Sequence, residues 1–466
     1  MKSTNEQWKI SAPLLFPMPG VFLTPGSGDA IRSVPMNPRT PRPLIVLGLD
    51  GLPLDLARAL AARGLCPHLV RLLPSARTIL AELPELSPVN WTSFFTACGP
   101  EEHGVFGFTR INAQSYELSV TDFSQVRLPT LWDRLGEAGY RARVVNLPNT
   151  YPARPLKGMM VSGFVARELR EALYPPFLNG VLRDYMLESD TSRGSSDPEH
   201  LLAGLRRSLA SRRKAFELLW RDQNWQLFIL VLTETDRLLH FLWHAVTEPA
   251  HPLHADCADF LREWDACIAC VADVATCLDA RLMLLADHGF SSLKVECDIN
   301  SWLREQGLLV QSPSPQQSPE LDGRCIHPRS AAFALDPGRI YLHTRRRFAK
   351  GHLADEEAAR LLPRLREQLL GLRWMDAPVF SAVLPAEELY KGPMLPAAPD
   401  LVCVPNTGFD LKAKFNRPNI FGHFGRSGTH TRDGGIFYDS ENGTPARLRD
   451  AGRLVLEHFG LAASSA

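Results

Sequence analysis

The chain has 466 residues, 45% of them hydrophobic and 22% charged, which is ordinary for a soluble globular protein and leaves room for more than one minimal domain. Lys plus Arg and Asp plus Glu both total 51, so net charge gives no attraction for a nucleic-acid polymer or an anionic membrane surface. No run approaches the roughly 18 apolar residues of a membrane span.

Residues 1–42 are rich in Pro, Gly and Ser and contain no continuous apolar stretch of the signal-peptide kind. They are expected to form a flexible leader, and the protein is expected to be cytoplasmic. The first buried strand is Leu44-Ile45-Val46-Leu47-Gly48-Leu49, ending at Asp50, with a helix over 52–62. Between 86 and 108 the chain reads LSPVNWTSFFTACGPEEHGVFGF, in which Ser87 stands at the entrance to a helix. A helix over 130–139 ends in Gly139 and precedes strands at 141–146 and 159–162. Asp197 and Pro198 form a strong helix start, as N-cap and first helical residue, and that helix runs to about Trp220.

The next apolar strand, 227–232, is followed by Asp236 and His240, and the strand 282–286 by Asp287-His288-Gly289. Between them lies a helical stretch with Cys267, Cys270 and Cys277, part of a scattered set of nine cysteines. These read as small apolar residues on a helix and not as a thiolate metal site. The basic groups Arg206-Arg207, Arg212-Arg213-Lys214 and Arg345-Arg346-Arg347 read as solvated faces. This alternation predicts an α/β fold, a mainly parallel sheet flanked by helices on both faces.

Residues 311–329 are rich in Ser, Pro and Gln and read as an exposed loop or linker. A strand at 339–342, a helix over 355–370 kinked by Pro363 and stopped by Gly371, and a strand at 401–404 suggest a smaller α+β lobe. The motif-rich segment 425–436 is expected to return to the active site. The resulting division is 43–310 with 405–466 as the catalytic domain and 311–404 as loop plus lobe.

In open α/β sheets, chemistry gathers at the carboxyl ends of the strands. Three such ends here carry three Asp and two His, ligand types that hold a pair of divalent metals. Asp236 and His240, spaced i, i+4, share one helix face and can grip one ion. Adjacent Asp287 and His288 can converge only in a turn, which Gly289 permits. Alone, Ser87 would read as a helix cap and Asp50 likewise; together with the ligands, Ser87 reads as a nucleophile. Asn90 and the helix N-terminus would then supply donors for developing negative charge.

Five strings carry a resemblance: Gly48-Leu49-Asp50-Gly51; Ser87-Pro88-Val89-Asn90-Trp91-Thr92-Ser93-Phe94 with His103-Gly104; Thr235-Asp236-Arg237-Leu238-Leu239-His240; Ala286-Asp287-His288-Gly289; and Ser427-Gly428-Thr429-His430. In this order they resemble the type I phosphodiesterase/nucleotide pyrophosphatase family of the alkaline phosphatase superfamily, over residues 43–438. The resemblance implies an alkaline-phosphatase-like sheet and two divalent metal ions, Zn foremost with Mn or Fe as alternatives. Asp236, His240 and His430 would hold one; Asp50, Asp287 and His288 the other, with Ser87 reaching both. His430 is preferred to His423 for its Ser-Gly-x-His context, and His103 is expected to order its turn.

Two positions depart from the family pattern: Ser87 where Thr is frequent, and Thr96-Ala97 where Thr-Gly is frequent. Ser87-Pro88-Val89-Asn90-Trp91 lacks the C/S-x-P-x-R of sulfatase-like relatives. The implied reaction is hydrolysis of a small-molecule phosphodiester or phosphoanhydride through a phosphoseryl intermediate. A phosphomonoesterase or phosphonate hydrolase is the alternative, and a catalytically silent metal-binding scaffold is the reading from another class.

Overall fold

Burial on both faces makes the first strand continuously apolar, and its side chains divide with the period of two that a pleated strand imposes. Ile45, Leu47 and Leu49 point into one apolar core with the helices Leu54–Ala62, Pro198–Leu219, Glu234–Thr247 and His254–Cys277. Leu44 and Val46 point into a second core with Ser87–Thr96, Leu131–Glu137 and Leu448–His458. The sheet between these cores has eight strands in the order Arg77–Ile79, Gly435–Asp439, Arg281–Leu285, Leu44–Leu49, Leu227–Leu232, Ala142–Leu147, Gly158–Ser162, Leu173–Tyr174. The five from Arg281–Leu285 to Gly158–Ser162 run parallel, and the outer pairings are antiparallel. This computed structural model describes residues 41–462. The leader expected over 1–42 therefore lies outside the described residues except at its last two positions.

Register positions the chemistry. Leu49 pairs with Leu232 and Gly48 with Leu285, so three parallel strands end level and release their chains together at one edge of the sheet. The C-terminal return reaches the same edge: Gly428–Thr431 pairs antiparallel with Gly289–Ser292, setting His430 opposite Phe290.

The smaller lobe has a four-stranded antiparallel sheet, Ala332–Leu335, Arg339–Leu342, Leu401–Pro405 and Phe380–Pro385, and the helix Asp355–Leu370. Its apolar core also draws on Val295, Cys297, Trp302, Phe409 and Phe415, outside the span 311–404. A three-stranded sheet, Phe409–Lys412, Val295–Asp298 and Phe421–Gly422, joins the lobe to the edge where the parallel strands end.

Several local expectations change in three dimensions. The 311–329 segment is the largely exposed loop expected, but it is anchored: Gln311 Nε2 donates to Ser318 Oγ and to the Phe415 carbonyl, both at 2.7 Å, and Cys325 and Ile326 are buried. Pro363 lies inside an unbroken helix, and Gly371 caps it in right-handed geometry. Arg212 is fully buried, not solvated; it donates to the Met186 carbonyl and, at 2.5 Å, to the Leu187 carbonyl, with Glu234 3.7 Å away. Among the described residues no helix is long and apolar enough to cross a membrane.

Candidate active site

Ser87 is the first residue of the helix Ser87–Thr96, entered from extended Leu86 and favoured by Pro88 in the first turn. Its hydroxyl lies 3.4 Å from His288 Nε2 and 3.5 Å from Asp50 Oδ1, so the helix start is aimed at the strand ends. Asn90, expected as a substrate donor, is fully buried; its Oδ1 accepts from the Glu82 amide at 2.6 Å and one Nδ2 proton goes to the Leu86 carbonyl at 3.1 Å. Both contacts lie inside the turn that presents Ser87. His103 accepts from the Val105 amide through Nδ1, which leaves Nε2–H to meet Ser93 Oγ at 2.9 Å. Burial pushes this imidazole down to about 3, so it is a neutral strut of the same turn.

Around Ser87 the strand ends gather three carboxylates and three imidazoles, nearly all buried. Asp236 Oδ1 is 3.4 Å from His240 Nε2 and 3.1 Å from His430 Nε2, and the two imidazole nitrogens are 3.0 Å apart. His288 Nε2 stands between this trio and the other carboxylates, 3.8 Å from Asp236 Oδ1, 3.7 Å from Asp50 Oδ1 and 3.4 Å from Asp287 Oδ2. The sets Asp236–His288–His430 and Asp50–Asp287–His288 each offer atoms all within 4.8 Å of one another.

This donor set fits divalent cations on three counts. First, each histidine presents Nε2 inward while its Nδ1 meets a backbone carbonyl: His240 with Gly428 at 3.2 Å, His288 with Gly289 at 3.0 Å, His430 with Glu85 at 3.0 Å. Donation through Nδ1 fixes the tautomer whose Nε2 lone pair is free to ligate. Second, Asp287 Oδ1 accepts from the Gly51 amide at 3.2 Å, but its Oδ2 is buried with no hydrogen-bond partner. Third, burial and the neighbouring Asp287 and Asp236 carboxylates push the Asp50 carboxyl well above its usual range. Burial would raise Asp236 too, but His240, His430 and Arg237 outweigh it and hold the carboxyl well below. A cation relieves the crowding at Asp50 and supplies the partner Asp287 Oδ2 lacks.

The site opens into a cleft of about 720 Å³ lined by both the main sheet's edge and the lobe. Three cations there were not singled out from sequence. Arg237 Nη1 donates to Asp236 Oδ2 at 2.9 Å, faces Glu188 at 3.6 Å, and stacks 4.8 Å over the Phe164 ring. Its place immediately after Asp236 was the available signal. Arg426 and Lys412 come from the return segment and the three-stranded sheet, and nothing in their local sequence marks them.

The family model described as Type I phosphodiesterase / nucleotide pyrophosphatase matches residues 44–435. Phosphonoacetate hydrolase from Sinorhizobium meliloti 1021, solved with phosphonoformate, superposes with a TM-score of 0.59 at 18% identity, covering 92% of this chain and 97% of that one. Murine ectonucleotide pyrophosphatase/phosphodiesterase 5 superposes with a TM-score of 0.54 at 12% identity, covering 91% and 96%. Its human counterpart gives 0.53 at 12% identity with the same coverage. At these identities the likeness speaks to the alkaline-phosphatase-like fold. Among curated protein sequences, none matches.

Proposed function

Since the chain belongs to the type I phosphodiesterase/nucleotide pyrophosphatase family of phosphoric ester hydrolases, we propose that it hydrolyses a small-molecule phosphodiester or phosphoanhydride with Ser87 as nucleophile. The observation that carries the reading is the convergence of a buried helix-start hydroxyl with three carboxylates and three Nε2-inward imidazoles. Asp236, His240 and His430 would hold one divalent ion, and Asp50, Asp287 and His288 the other, with zinc the leading candidate for both. When bound, such ions supply positive charge that neutralises the carboxylates and stabilises negative charge developing on phosphoryl oxygens.

The chain's own residues do the rest. The Asn90 and His103 bonds hold the turn so that Ser87 Oγ faces the cleft, and the proton of Ser87 has an acceptor in Asp50 Oδ1. Oγ attacks phosphorus as the bond to the leaving oxygen breaks, giving phosphoseryl-87. Water then forms the new P–O bond as the Oγ–P bond breaks, so configuration at phosphorus is retained overall. Asn90, which bonds the Glu82 amide and the Leu86 carbonyl, acts in this scheme by positioning Ser87.

Phosphomonoester or phosphonate hydrolysis on the same residues is the second reading, supported by the fold's likeness to a phosphonoacetate hydrolase.

The test is turnover of bis-p-nitrophenyl phosphate against p-nitrophenyl phosphate by zinc- or manganese-supplemented protein, with Ser87→Ala alongside. Diester preference lost in the variant, with metal content unchanged, is the expected result. Monoester preference selects the second reading, and substantial activity in Ser87→Ala overturns the nucleophile.

A further inference from the structure

We propose that Lys412 and Arg426, braced together by Asp410, form a subsite for a second anionic group, so that the substrate carries a carboxylate or a further phosphoryl group beyond its scissile bond. The inference rests on the hydrolase reading and narrows its substrate class.

Asp410 and Lys412 are two residues apart on the strand Phe409–Lys412 and therefore share a face. Lys412 Nζ lies 2.8 Å from Asp410 Oδ2, and Arg426 Nη1 approaches the same oxygen at 3.5 Å. All three side chains line the cleft that holds Ser87, Asp50, Asp236 and His430. Two cations thus share one carboxylate, leaving a surplus positive charge. Of the other cations lining the cleft, Lys414 is matched by Asp336 and Glu320, Arg417 by Glu296, and Arg237 by Asp236 and Glu188, while Arg167 stands exposed.

The remaining contact of Arg426 does not use its donors. Its Nη1 lies 3.4 Å from His240 Nδ1, a nitrogen already facing the Gly428 carbonyl as a donor. The surplus charge is also substantially withdrawn from water, with side-chain exposures of 13% for Lys412, 10% for Asp410 and 34% for Arg426. Burial, and then Arg426, push the Lys412 ammonium below its ordinary value against the opposing pull of Asp410 and, behind it, Asp336 and Glu296. An isolated fold gains nothing from crowding two cations there; an arriving anion turns the repulsion into recognition.

The position is informative. Arg426 approaches the Nδ1 side of the ring whose Nε2 faces Asp236 and His430, so the subsite stands one imidazole away from the candidate metal cluster. It reads a substituent of the substrate and not the phosphoryl group under attack.

The experiment measures binding by calorimetry to the full-length, metal-loaded protein. One ladder runs from methylphosphonate through phosphonoacetate, 3-phosphonopropionate and 4-phosphonobutyrate; a parallel ladder ends in a second phosphonate. At least one doubly functionalised ligand should bind about tenfold tighter than methylphosphonate, as expected for a charge-assisted contact. The better ladder tells carboxylate from phosphoryl. That ratio should fall towards one in Lys412→Gln and in Arg426→Gln, while Arg426→Lys, which keeps the charge, retains part of it. Equal affinities along both ladders, or a preference that survives in the double Gln variant, overturn the subsite. Ladder selectivity without turnover of bis-p-nitrophenyl phosphate, p-nitrophenyl phosphate or any phosphonate of the ladders would sink the hydrolase reading and leave the subsite standing.

Discussion

Replacing Arg212 with Met should cost the fold about 3–5 kcal/mol at pH 8 and clearly less at pH 5, because it strands a buried charge. Arg212 and Glu234 are almost wholly inaccessible, 3.7 Å apart, and both Glu234 oxygens lack hydrogen-bond partners. Arg212 also serves the Met186 and Leu187 carbonyls and stacks 4.8 Å over Tyr185. Burial raises the Glu234 carboxyl above its usual value, with Arg212 as the chief opposing influence. A carboxyl raised in the folded state binds its proton more tightly there than in the unfolded chain. Stability contributed by this group is therefore full below the unfolded value of 4.5 and falls as pH rises towards the folded value. Without Arg212 that window extends upward, so the penalty grows with pH; Tyr185, Glu188 and Cys267 are the other titratable groups near the pair. Glu234→Gln removes the charge and keeps the shape, and should cost under about 1.5 kcal/mol. For a folded unit of this size the unfolding entropy is on the order of 0.9 kcal/mol/K, so Arg212→Met lowers the melting temperature by about 3–6 °C at pH 8. Urea unfolding of both variants at pH 5 and pH 8 checks this. A penalty that does not change with pH, or a Glu234→Gln cost equal to that of Arg212→Met, would refute the reasoning.

Two further outcomes follow from single positions. Ala97 caps the nucleophile helix at φ 57°, a left-handed conformation that suits glycine, so Ala97→Gly should stabilise by about 1 kcal/mol in denaturant unfolding; a destabilised variant would show the cap is not strained. A Cβ at Gly428 would stand 2.4 Å from the Leu239 carbonyl and 2.8 Å from Phe290, so Gly428→Ala must push the His430 strand off the helix bearing Asp236 and His240. Zinc bound per chain, measured by atomic emission, should drop by about one equivalent; unchanged stoichiometry would refute the clash.

Much of this arrangement is legible in the sequence because strand ends and helix starts are local events. The runs 44–49, 227–232 and 282–286 are apolar throughout because both faces are covered, and the residue types that follow them are unambiguous. The helix cap at Asp197, which accepts from the His200 amide at 3.0 Å, was equally local. What escaped depends on distant partners. Arg212 looks like part of a solvated basic run until Met186, Leu187 and Glu234 close over it. The departure at Thr96-Ala97 is visible in the sequence, but its cost sits in one backbone angle that the sequence does not show. Lys412 and Arg426 become neighbours only because the three-stranded sheet and the return segment meet at Asp410.

The bond between the His430 imidazole and the Glu85 carbonyl spans 345 residues of chain. Its closure therefore carries a high contact order, and it forms after the more local βαβ pairings that precede it. During synthesis the central strands can assemble while the return segment is still inside the ribosome, but the last imidazole arrives only when nearly the whole chain has emerged. A chain ending before residue 430 would keep the five parallel strands but lose both the Gly435–Asp439 strand and the imidazole proposed as a metal ligand.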